Sequence, residues 1–327
     1  MHSLVTGGAG FVGRHLVERL LREGHEVQVV DALVSGTGAI NPLDGWPKFN
    51  PFDYKTFRFT HLDCREWFSS HQDAAFDYAF HLAAMVGGRH MIEEDPLLVA
   101  TDLAIDSDYW RWAAQARPEK TVCFSSSAVY PVAFQQRDGN RPLFESMVTF
   151  QALSMPDMTY GWSKLTCEYL ANVAYERYGL KSICIRPFSG YGIDQDSNYP
   201  FPAICRRVLE GQSTLRIWGS GQQIRDFIHI DDCIEGIIRM MDQIDNADAV
   251  NLSTGIGTSF FEFAQIACEV VGSRQHFVPL TNQPEGVFFR VGDTAKQVSL
   301  GFTAKISLRE GIERAMACYE KEKAVCC

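Results

Sequence analysis

Short apolar runs alternate with segments of helical periodicity over the first 190 residues or so. The apolar runs are SLVT, EVQVVD, DYAFHLAA, TVCFSSS and SICIRPF. Between the first two runs, residues from about 11 to 22 place leucine and valine on one stripe, and we expect Arg14, Glu18 and Arg22 to face water. Strands that alternate with helices predict a parallel α/β sheet with right-handed crossovers.

The pattern changes after about residue 186. Loops rich in Gly, Asp, Asn and Pro, such as SGYGIDQDSNYP and WGSGQQIRD, separate shorter elements of mixed character. We therefore predict a first domain over residues 1–186, to which residues 226–253 return, and a smaller C-terminal lobe over residues 187–327. The lobe is expected at the carboxyl edge of the sheet, where open α/β folds bind ligands.

Composition and charge restrict the classes of protein. With 46% hydrophobic and 21% charged residues, the 327-residue chain is typical of a globular protein. A net charge of -10 without a Lys/Arg cluster argues against a nucleic-acid partner, and no apolar window is long enough for a membrane span. We expect no secretory signal, because the first residues run directly into a predicted strand and a glycine turn. The ten cysteines form no CxxC pair, so we also expect reduced thiols and a cytoplasmic location.

The segment TGGAGFVG lies between a predicted strand and a predicted amphipathic helix. Its glycines Gly7, Gly10 and Gly13 allow a tight turn and a close approach of the backbone to a pyrophosphate. Asp31 ends the next strand, 18 residues after Gly13, where a carboxylate accepts hydrogen bonds from a ribose and repels a 2'-phosphate. This pattern predicts a Rossmann-type fold that binds NAD rather than NADP; the structural alternative is that Asp31 only begins a turn. Phe11 and Val12 belong to the same turn, and Asp63, after the third strand, is a candidate contact for the adenine.

Three further residues have the chemistry of a proton-transfer site. Tyr160 and Lys164 stand four residues apart, which places them on one helix face, and Ser126 follows a strand upstream. The ammonium of Lys164 and an oxidised nicotinamide both favour the phenolate of Tyr160; a pKa lowered by roughly three units corresponds to about 4 kcal/mol. We predict that Tyr160 exchanges a proton with a substrate hydroxyl that Ser126 orients.

These motifs occur in the order found in the extended short-chain dehydrogenase/reductases of the nucleotide-sugar epimerase/dehydratase family, which the chain resembles nearly end to end. The resemblance also rests on HLAA, SSSAVYP, YGWSK, RPFSGYG, LRIWGSGQQIRDFIHIDD and SLREGIERAMACYE. It implies an NAD-binding domain, a nucleotide-diphosphate sugar as substrate and a homodimer that pairs helices near residues 97–115 and 157–178. It adds Leu82, Ala83, Ala84 and Pro187 to the expected cofactor contacts.

The resemblance also assigns substrate contacts. Arg225 and Arg290 match the family's phosphate-binding arginines, and a guanidinium forks onto phosphate oxygens. For Arg225 the alternative is a surface pair with Asp226 or Asp231. Arg89 either reaches the sugar or is solvated. The remaining expected contacts are Gly87, Ser127, Asn198 and Tyr199.

Ala128, two residues after Ser126, narrows the reaction. The family's 4,6-dehydratases and decarboxylases carry a glutamate at this position. The sequence motifs of the second half are most similar to those of the GDP-mannose 3,5-epimerase and GDP-fucose synthase branch. The 3,5-epimerases of that branch have a cysteine at the position of Ala128 and a second base at the position of Tyr199. A methyl group moves no proton, so dehydration and 3,5-epimerisation are disfavoured.

What remains is reversible oxidation of a sugar carbon, with C4 preferred. Inversion after a turn of the bound 4-keto sugar gives a 4-epimerase of an NDP-hexose or heptose, GDP-manno-configured sugars included. Release of the keto sugar gives a C4 dehydrogenase or, in reverse, a 4-ketoreductase. The alternative to an enzyme is a module that binds NAD as a sensor without turnover. Asp102 and Ser189 replace asparagines usual in the family. No metal-ligand spacing occurs, and His81 and His229 are interpreted as structural.

Overall fold

The computed structural model describes residues 1–86 and 88–325, so Gly87 and the pair Cys326–Cys327 lie outside the described residues. The strands are β1 (His2–Thr6), β2 (Glu26–Asp31), β3 (Phe57–His61), β4 (Tyr78–His81), β5 (Lys120–Phe124), β6 (Ser182–Pro187), β7 (Ser189–Tyr191), β8 (Thr214–Trp218), β9 (Ile224–His229), β10 (Asn246–Leu252), β11 (Gly257–Ser259), β12 (His276–Leu280) and β13 (Phe289–Arg290). The α-helices are α1 (Phe11–Arg22), α2 (Cys64–Ser70), α3 (Gly88–Glu94), α4 (Pro96–Val99), α5 (Thr101–Ala116), α6 (Met158–Tyr178), α7 (Pro200–Leu209), α8 (Ile230–Met240), α9 (Phe260–Val270), α10 (Ala295–Ser299) and α11 (Leu308–Val325).

Seven strands form one parallel sheet in the order β10-β6-β5-β4-β1-β2-β3. The chain runs outward from β1 in one direction through β2 and β3, and then in the other direction through β4, β5 and β6. This reversal places a crevice beside the carboxyl end of β1, where doubly wound sheets bind ligands. The predicted Rossmann-type α/β fold is confirmed.

The inner strands β1, β4, β5 and β6 are buried on both faces over most of their length, as the continuous apolar runs predict, whereas the edge strand β3 exposes Arg58 and His61. One face of the sheet packs Val5, Val29 and Phe80 against α1 and α8, and the other face packs Leu4 and Cys123 against residues of α2, α5 and α6. Tyr109, Trp110 and Trp112 belong to this second core, and so do not form an exposed aromatic face.

Helix α1 buries the predicted leucine and valine stripe, but the expectation that Arg14 faces water is wrong. Only 2% of Arg14 is exposed. Its Nη1 donates to the carbonyl oxygens of Ala9 and Gly38, and its Nη2 pairs with Asp194 over 3.2 Å. Arg14 therefore joins the glycine turn to a loop of the C-terminal half.

The C-terminal half builds a second core and a second sheet. In this smaller sheet β9 pairs with β7, β11 and β13, and β8 pairs separately with β12. Phe201, Phe227 and Phe263 lie in the core between these strands and helices α7, α9 and α11. Strand β10 returns to the large sheet beside β6. Among the described residues, no helix has both the length and the apolar character that a bilayer crossing requires.

Candidate active site

The glycine turn after β1 lies against the end of β4. Gly7 has a φ of +71°, and a Cβ atom there would lie 2.6 Å from the backbone nitrogen of Ala83. A Cβ atom on Gly13 would lie 2.4 Å from the carbonyl oxygen of Gly7. Only glycine fits at both positions. The turn continues through Gly10, whose nitrogen donates to the carbonyl oxygen of Gly7, into the first N–H groups of α1 at Phe11 and Val12, where no side chain caps the helix. Such a helix start is suited to a pyrophosphate.

Asp31 is oriented toward the same turn. Its two carboxylate oxygens accept hydrogen bonds from the backbone nitrogens of Ala9, at 2.9 Å, and Leu33, at 2.8 Å. Burial raises the pKa of Asp31, although these two hydrogen bonds oppose the shift. Each carboxylate oxygen retains a further acceptor site for a ribose hydroxyl. Asp63 instead caps α2 and binds Arg65, with 2.6 Å between Oδ2 and Nη2, so its role toward adenine stays a prediction.

Ser126 and Tyr160 belong to two elements that touch. Ser126 begins a short 3-10 turn after β5, in which its hydroxyl accepts a hydrogen bond from the nitrogen of Ala128. A Cβ atom on Gly161 would lie 2.5 Å from the carbonyl oxygen of Ala128, and that oxygen also accepts a hydrogen bond from Asp157, just before α6. Glycine at position 161 thus allows α6 to bring Tyr160 close to Ser126.

Tyr160 and Lys164 lie on one face of α6, with Nζ of Lys164 5.9 Å from the centre of the tyrosine ring. Burial raises the pKa of Tyr160, and the charge of Lys164 and the hydroxyl of Ser126 only partly offset this effect. The protein residues by themselves therefore raise this pKa, whereas the charge of Lys164 alone had suggested that it is lowered. Burial also opposes the charge on Lys164, but the carboxylates of Asp106 and Asp102 outweigh it and raise the lysine pKa.

Ala128 is 3% exposed and lies in the 3-10 turn that packs against α6. Ser127 is also buried, in the same 3-10 turn. Neither residue extends a titratable group toward Tyr160, in keeping with the narrow chemistry that the sequence predicts. Half-buried Leu82, Ala83 and Ala84 follow β4, and Pro187 ends β6, at the same carboxyl edge of the sheet.

Three guanidinium groups lie near one another at the loop around Gly286: those of Arg225 and Arg290 from the lobe and that of Arg89 from α3. A Cβ atom on Gly286 would lie 3.4 Å from side-chain atoms of both Arg225 and Arg89. Arg290 donates through Nε to Gln135 over 2.6 Å and through Nη2 to Asp157 over 2.8 Å. Arg89 also binds Asp157, at 3.0 Å, together with Glu93. Arg89 is thus held by carboxylates, rather than free in solvent.

Arg225 forms no ion pair within the described residues. Its Nη1 and Nη2 donate to the carbonyl oxygens of Ile224 and Glu285, and the guanidinium pairs with neither the Asp226 nor the Asp231 carboxylate. Burial, followed by the neighbouring charge of Arg290, lowers the pKa of Arg225 to about 9. A partly buried cation without a carboxylate partner is suited to an anionic ligand.

Asn198 and Tyr199 approach the other side of the crevice. A Cβ atom on Gly88 would lie 3.6 Å from the carbonyl oxygen of Asn198, and the backbone of Gly88 donates toward the hydroxyl of Tyr199. Burial raises the pKa of Tyr199, and the nearby Tyr160 adds to this shift. Tyr199 and Tyr160 therefore lie close enough for the charge of one to affect the pKa of the other. Gly87, the remaining predicted contact, lies outside the described residues.

Two predicted structural histidines have ordinary structural roles. His81 bridges Thr6 and Asp106 and stacks on Tyr109, with 3.8 Å between ring centres. His229 caps α8 by accepting a hydrogen bond from the nitrogen of Asp231.

Asp157, which binds both Arg89 and Arg290, is a site residue that the sequence did not predict. Its position three residues before Tyr160, at the start of a predicted helix, was the available signal.

Comparison with known proteins agrees with this geometry. Residues 3–253 match the model of the NAD dependent epimerase/dehydratase family. The chain is 28% identical over 251 residues to a putative GDP-L-fucose synthase 2 of Arabidopsis thaliana, and the aligned region covers 74% of this chain and 75% of the relative. It is 27% identical to the UDP-glucose 4-epimerase of Mycolicibacterium smegmatis, with 97% of each chain covered.

Two solved structures are similar over almost the whole chain. The UDP-glucose 4-epimerase of Thermotoga maritima has a TM-score of 0.82 at 25% identity and covers 99% of this chain and 100% of that one. The UDP-glucuronic acid 4-epimerase of Bacillus cereus, solved with UDP-glucuronic acid and NAD, has a TM-score of 0.80 at 26% identity with the same coverage. With its glycine turn, its Ser126, Tyr160 and Lys164 group and a family match over most of its length, the chain belongs to the NAD-dependent epimerase/dehydratase family of enzymes.

Proposed function

We propose that the chain is a nucleotide-sugar 4-epimerase that transiently oxidises C4 of an NDP-hexose or NDP-heptose, with GDP-linked manno-configured sugars among the candidates. One observation carries the proposal. Ser126, Tyr160 and Lys164 lie together at the crevice, while the buried methyl of Ala128 occupies the position where a dehydratase or a 3,5-epimerase needs a proton-transfer group.

The residues at the crevice fit NAD, since a side chain at Gly7 or Gly13 would fill the turn. In our proposal this turn holds the pyrophosphate, Asp31 holds the adenosine ribose, and Lys164 holds the second ribose. NAD, when bound, supplies a hydride acceptor that later gives the hydride back. Leu82, Ala83, Ala84 and Pro187 line the same edge of the sheet.

Tyr160 takes the proton from the C4 hydroxyl, and Ser126 hydrogen-bonds the same oxygen and orients it. The cationic Lys164 stabilises the phenolate against the cost of burial. Arg225 and Arg290 hold the diphosphate, so that the sugar ring is free to turn while the nucleotide stays bound. Tyr160 then returns the proton to the sugar oxygen, and no net oxidant is consumed.

The main alternative, a C4 dehydrogenase or 4-ketoreductase, needs the same three residues and differs in its product. Purified enzyme is incubated with GDP-mannose-type and UDP-glucose-type substrates without added cofactor, in deuterated water, and the products are examined by NMR. Inversion at C4 supports the epimerase, whereas stoichiometric NADH with a keto sugar supports the alternative. Deuterium at C3 or C5 contradicts the role given to Ala128, and no product from any sugar nucleotide contradicts the enzyme assignment.

The variant Tyr160→Phe separates proton transfer from binding. It is expected to lower turnover more than about a hundredfold while NAD stays bound, because only the hydroxyl is removed. Tyr175→Phe, on an exposed part of the same helix, serves as the control. Near-normal turnover in Tyr160→Phe removes this residue from the mechanism.

We also propose a homodimer through α5 and α6. Leu103 on α5 and Trp162 and Tyr169 on α6 are exposed by 39%, 36% and 51%, which leaves apolar surface on both helices. Sedimentation of the purified enzyme tests this. Trp162→Glu is expected to shift a dimer toward monomer, and a wild-type monomer refutes the proposal.

A further inference from the structure

Two carboxylates lie behind the Tyr160 and Lys164 pair. Asp102 and Asp106 stand four residues apart on α5, and therefore on one face, and α5 packs against α6. Both are completely buried, with 0% and 1% exposed. Their charges act on Lys164 and Tyr160 from the side of the protein core.

Asp102 uses only one of its two oxygens. Oδ1 accepts a hydrogen bond from the nitrogen of Met85, 2.5 Å away, and so fixes the segment that follows β4. Oδ2 is buried and has no hydrogen-bond partner within the described residues. A buried oxygen without a partner is costly, and an asparagine in its place would make the Met85 contact without a charge.

We propose that Asp102 is a positioning residue for proton transfer: one oxygen holds the segment after β4, and the charge of the carboxylate sets the pH range in which Tyr160 exchanges its proton. The proposal rests on the role given above to Tyr160. It assigns a purpose to an aspartate at a position where the sequence pattern had suggested asparagine.

The direction of the effect follows from the surrounding charges. Burial raises the pKa of Asp102 to about 6, with Lys164 opposing the shift and Asp106 adding to it. Above that pH the charged carboxylate disfavours the phenolate of Tyr160 and favours the ammonium of Lys164. Other titratable groups also face the pair: Tyr199 and Arg290 interact with Tyr160, and Cys167 interacts with Lys164. None of these three differs between the variant and the wild type. Burial lowers the pKa of His81 on β4, which keeps it uncharged, so it offsets neither carboxylate.

The test is Asp102→Asn, studied as the NAD-loaded enzyme. Asparagine retains an acceptor for Met85 but removes the charge. We expect the acid limb of the profile of kcat/KM against pH to move to lower pH by about one unit, because a neighbouring charge of this kind shifts a pKa by roughly that amount. Asp108→Asn, on the same helix but partly exposed, is the control and should leave the profile unchanged.

A second measurement does not depend on the identity of the substrate. The near-ultraviolet absorbance of the phenolate is titrated in NAD-loaded protein without sugar, and the contribution of Tyr160 is obtained by subtracting the titration of Tyr160→Phe. We expect this titration to move to lower pH in Asp102→Asn as well. If enzyme assays fail because the proposed reaction is wrong, the absorbance titration still tests Asp102.

Unchanged titrations in a folded Asp102→Asn protein that still binds NAD would overturn the proposal and leave Asp102 as a brace for Met85 only. If that variant does not fold, Asp106→Asn provides the second test. It removes the other carboxylate that acts on Lys164, while its amide oxygen still accepts a hydrogen bond from His81. The same direction of shift is expected, and no shift contradicts the proposal.

Discussion

Asp157 and Arg290 form a buried ion pair, in which Nη2 of Arg290 lies 2.8 Å from Oδ2 of Asp157. Asp157 also binds Arg89, so one carboxylate stands between two cations of the site. Its pKa is lowered because the charges of Arg290 and Arg89 outweigh the effect of burial. This pair connects the start of the helix that carries Tyr160 with the predicted diphosphate site.

Replacing this carboxylate should make the free enzyme less stable and more dependent on an anion. We expect Asp157→Asn to lower the free energy of unfolding by about 3 kcal/mol, since it leaves buried guanidinium groups uncompensated. Added GDP or UDP should recover part of that loss, because a diphosphate supplies negative charge. Thermal unfolding with and without nucleotide measures both effects, with the exposed Asp138→Asn as control. An unfolding temperature equal to that of the wild type would contradict the expectation.

Arg225 should contribute mainly to substrate binding. Its guanidinium has no carboxylate partner in the described residues, so its removal breaks no internal ion pair. A charge-assisted hydrogen bond contributes about 2 kcal/mol, and we expect Arg225→Ala to raise KM roughly thirtyfold with kcat changed much less. Steady-state kinetics measure the two constants separately, and Arg274→Ala, an exposed arginine of the same half, is the control. A fall in kcat at constant KM would place Arg225 in the chemical step instead.

The role of Arg225 could be predicted from the sequence, whereas the role of Asp157 could not. Arg225, Ser126, Tyr160 and Lys164 lie in short local motifs, and the parallel sheet gathers the ends of its strands at one edge. Asp157 acquires its role through Arg89 and Arg290, which are 68 and 133 residues away along the chain. Helical periodicity likewise placed Arg14 in water, because it does not include a partner such as Asp194 from a distant loop.

Asp194 provides a pH-dependent contribution to stability. Burial alone would raise its pKa, but the hydrogen bond and charge of His15, together with Arg14, lower it to about 2. A lowered pKa means that the stabilisation is fully present above the ordinary pKa near 4 and is lost as the pH falls toward 2. We expect Asp194→Asn to lower the free energy of unfolding by about 2 kcal/mol at pH 7.

That difference between Asp194→Asn and wild type should narrow as the pH falls from about 4 to about 2. Denaturant unfolding at a series of pH values measures it, and the exposed Asp73→Asn provides the control. A difference that stays constant over this range would mean that packing, and not the charge of Asp194, stabilises the loop.

The variant Gly161→Ala tests whether activity requires the close packing of α6 against the 3-10 turn that begins at Ser126. A Cβ atom there would lie 2.5 Å from the carbonyl oxygen of Ala128 and 3.0 Å from Cβ of Pro156, so the helix must move. Alanine is otherwise the better helix former, by about 1 kcal/mol, which separates helix stability from geometry. We expect Gly161→Ala to lower kcat by about a hundredfold while NAD binding is kept, because a displacement of about 1 Å has that effect on a reacting pair.

The control is Gly139→Ala, where the nearest atom lies 3.5 Å from the added Cβ and which should therefore leave kcat unchanged. Wild-type kcat in Gly161→Ala would show that Ser126 and Tyr160 tolerate a wider separation than the structure has.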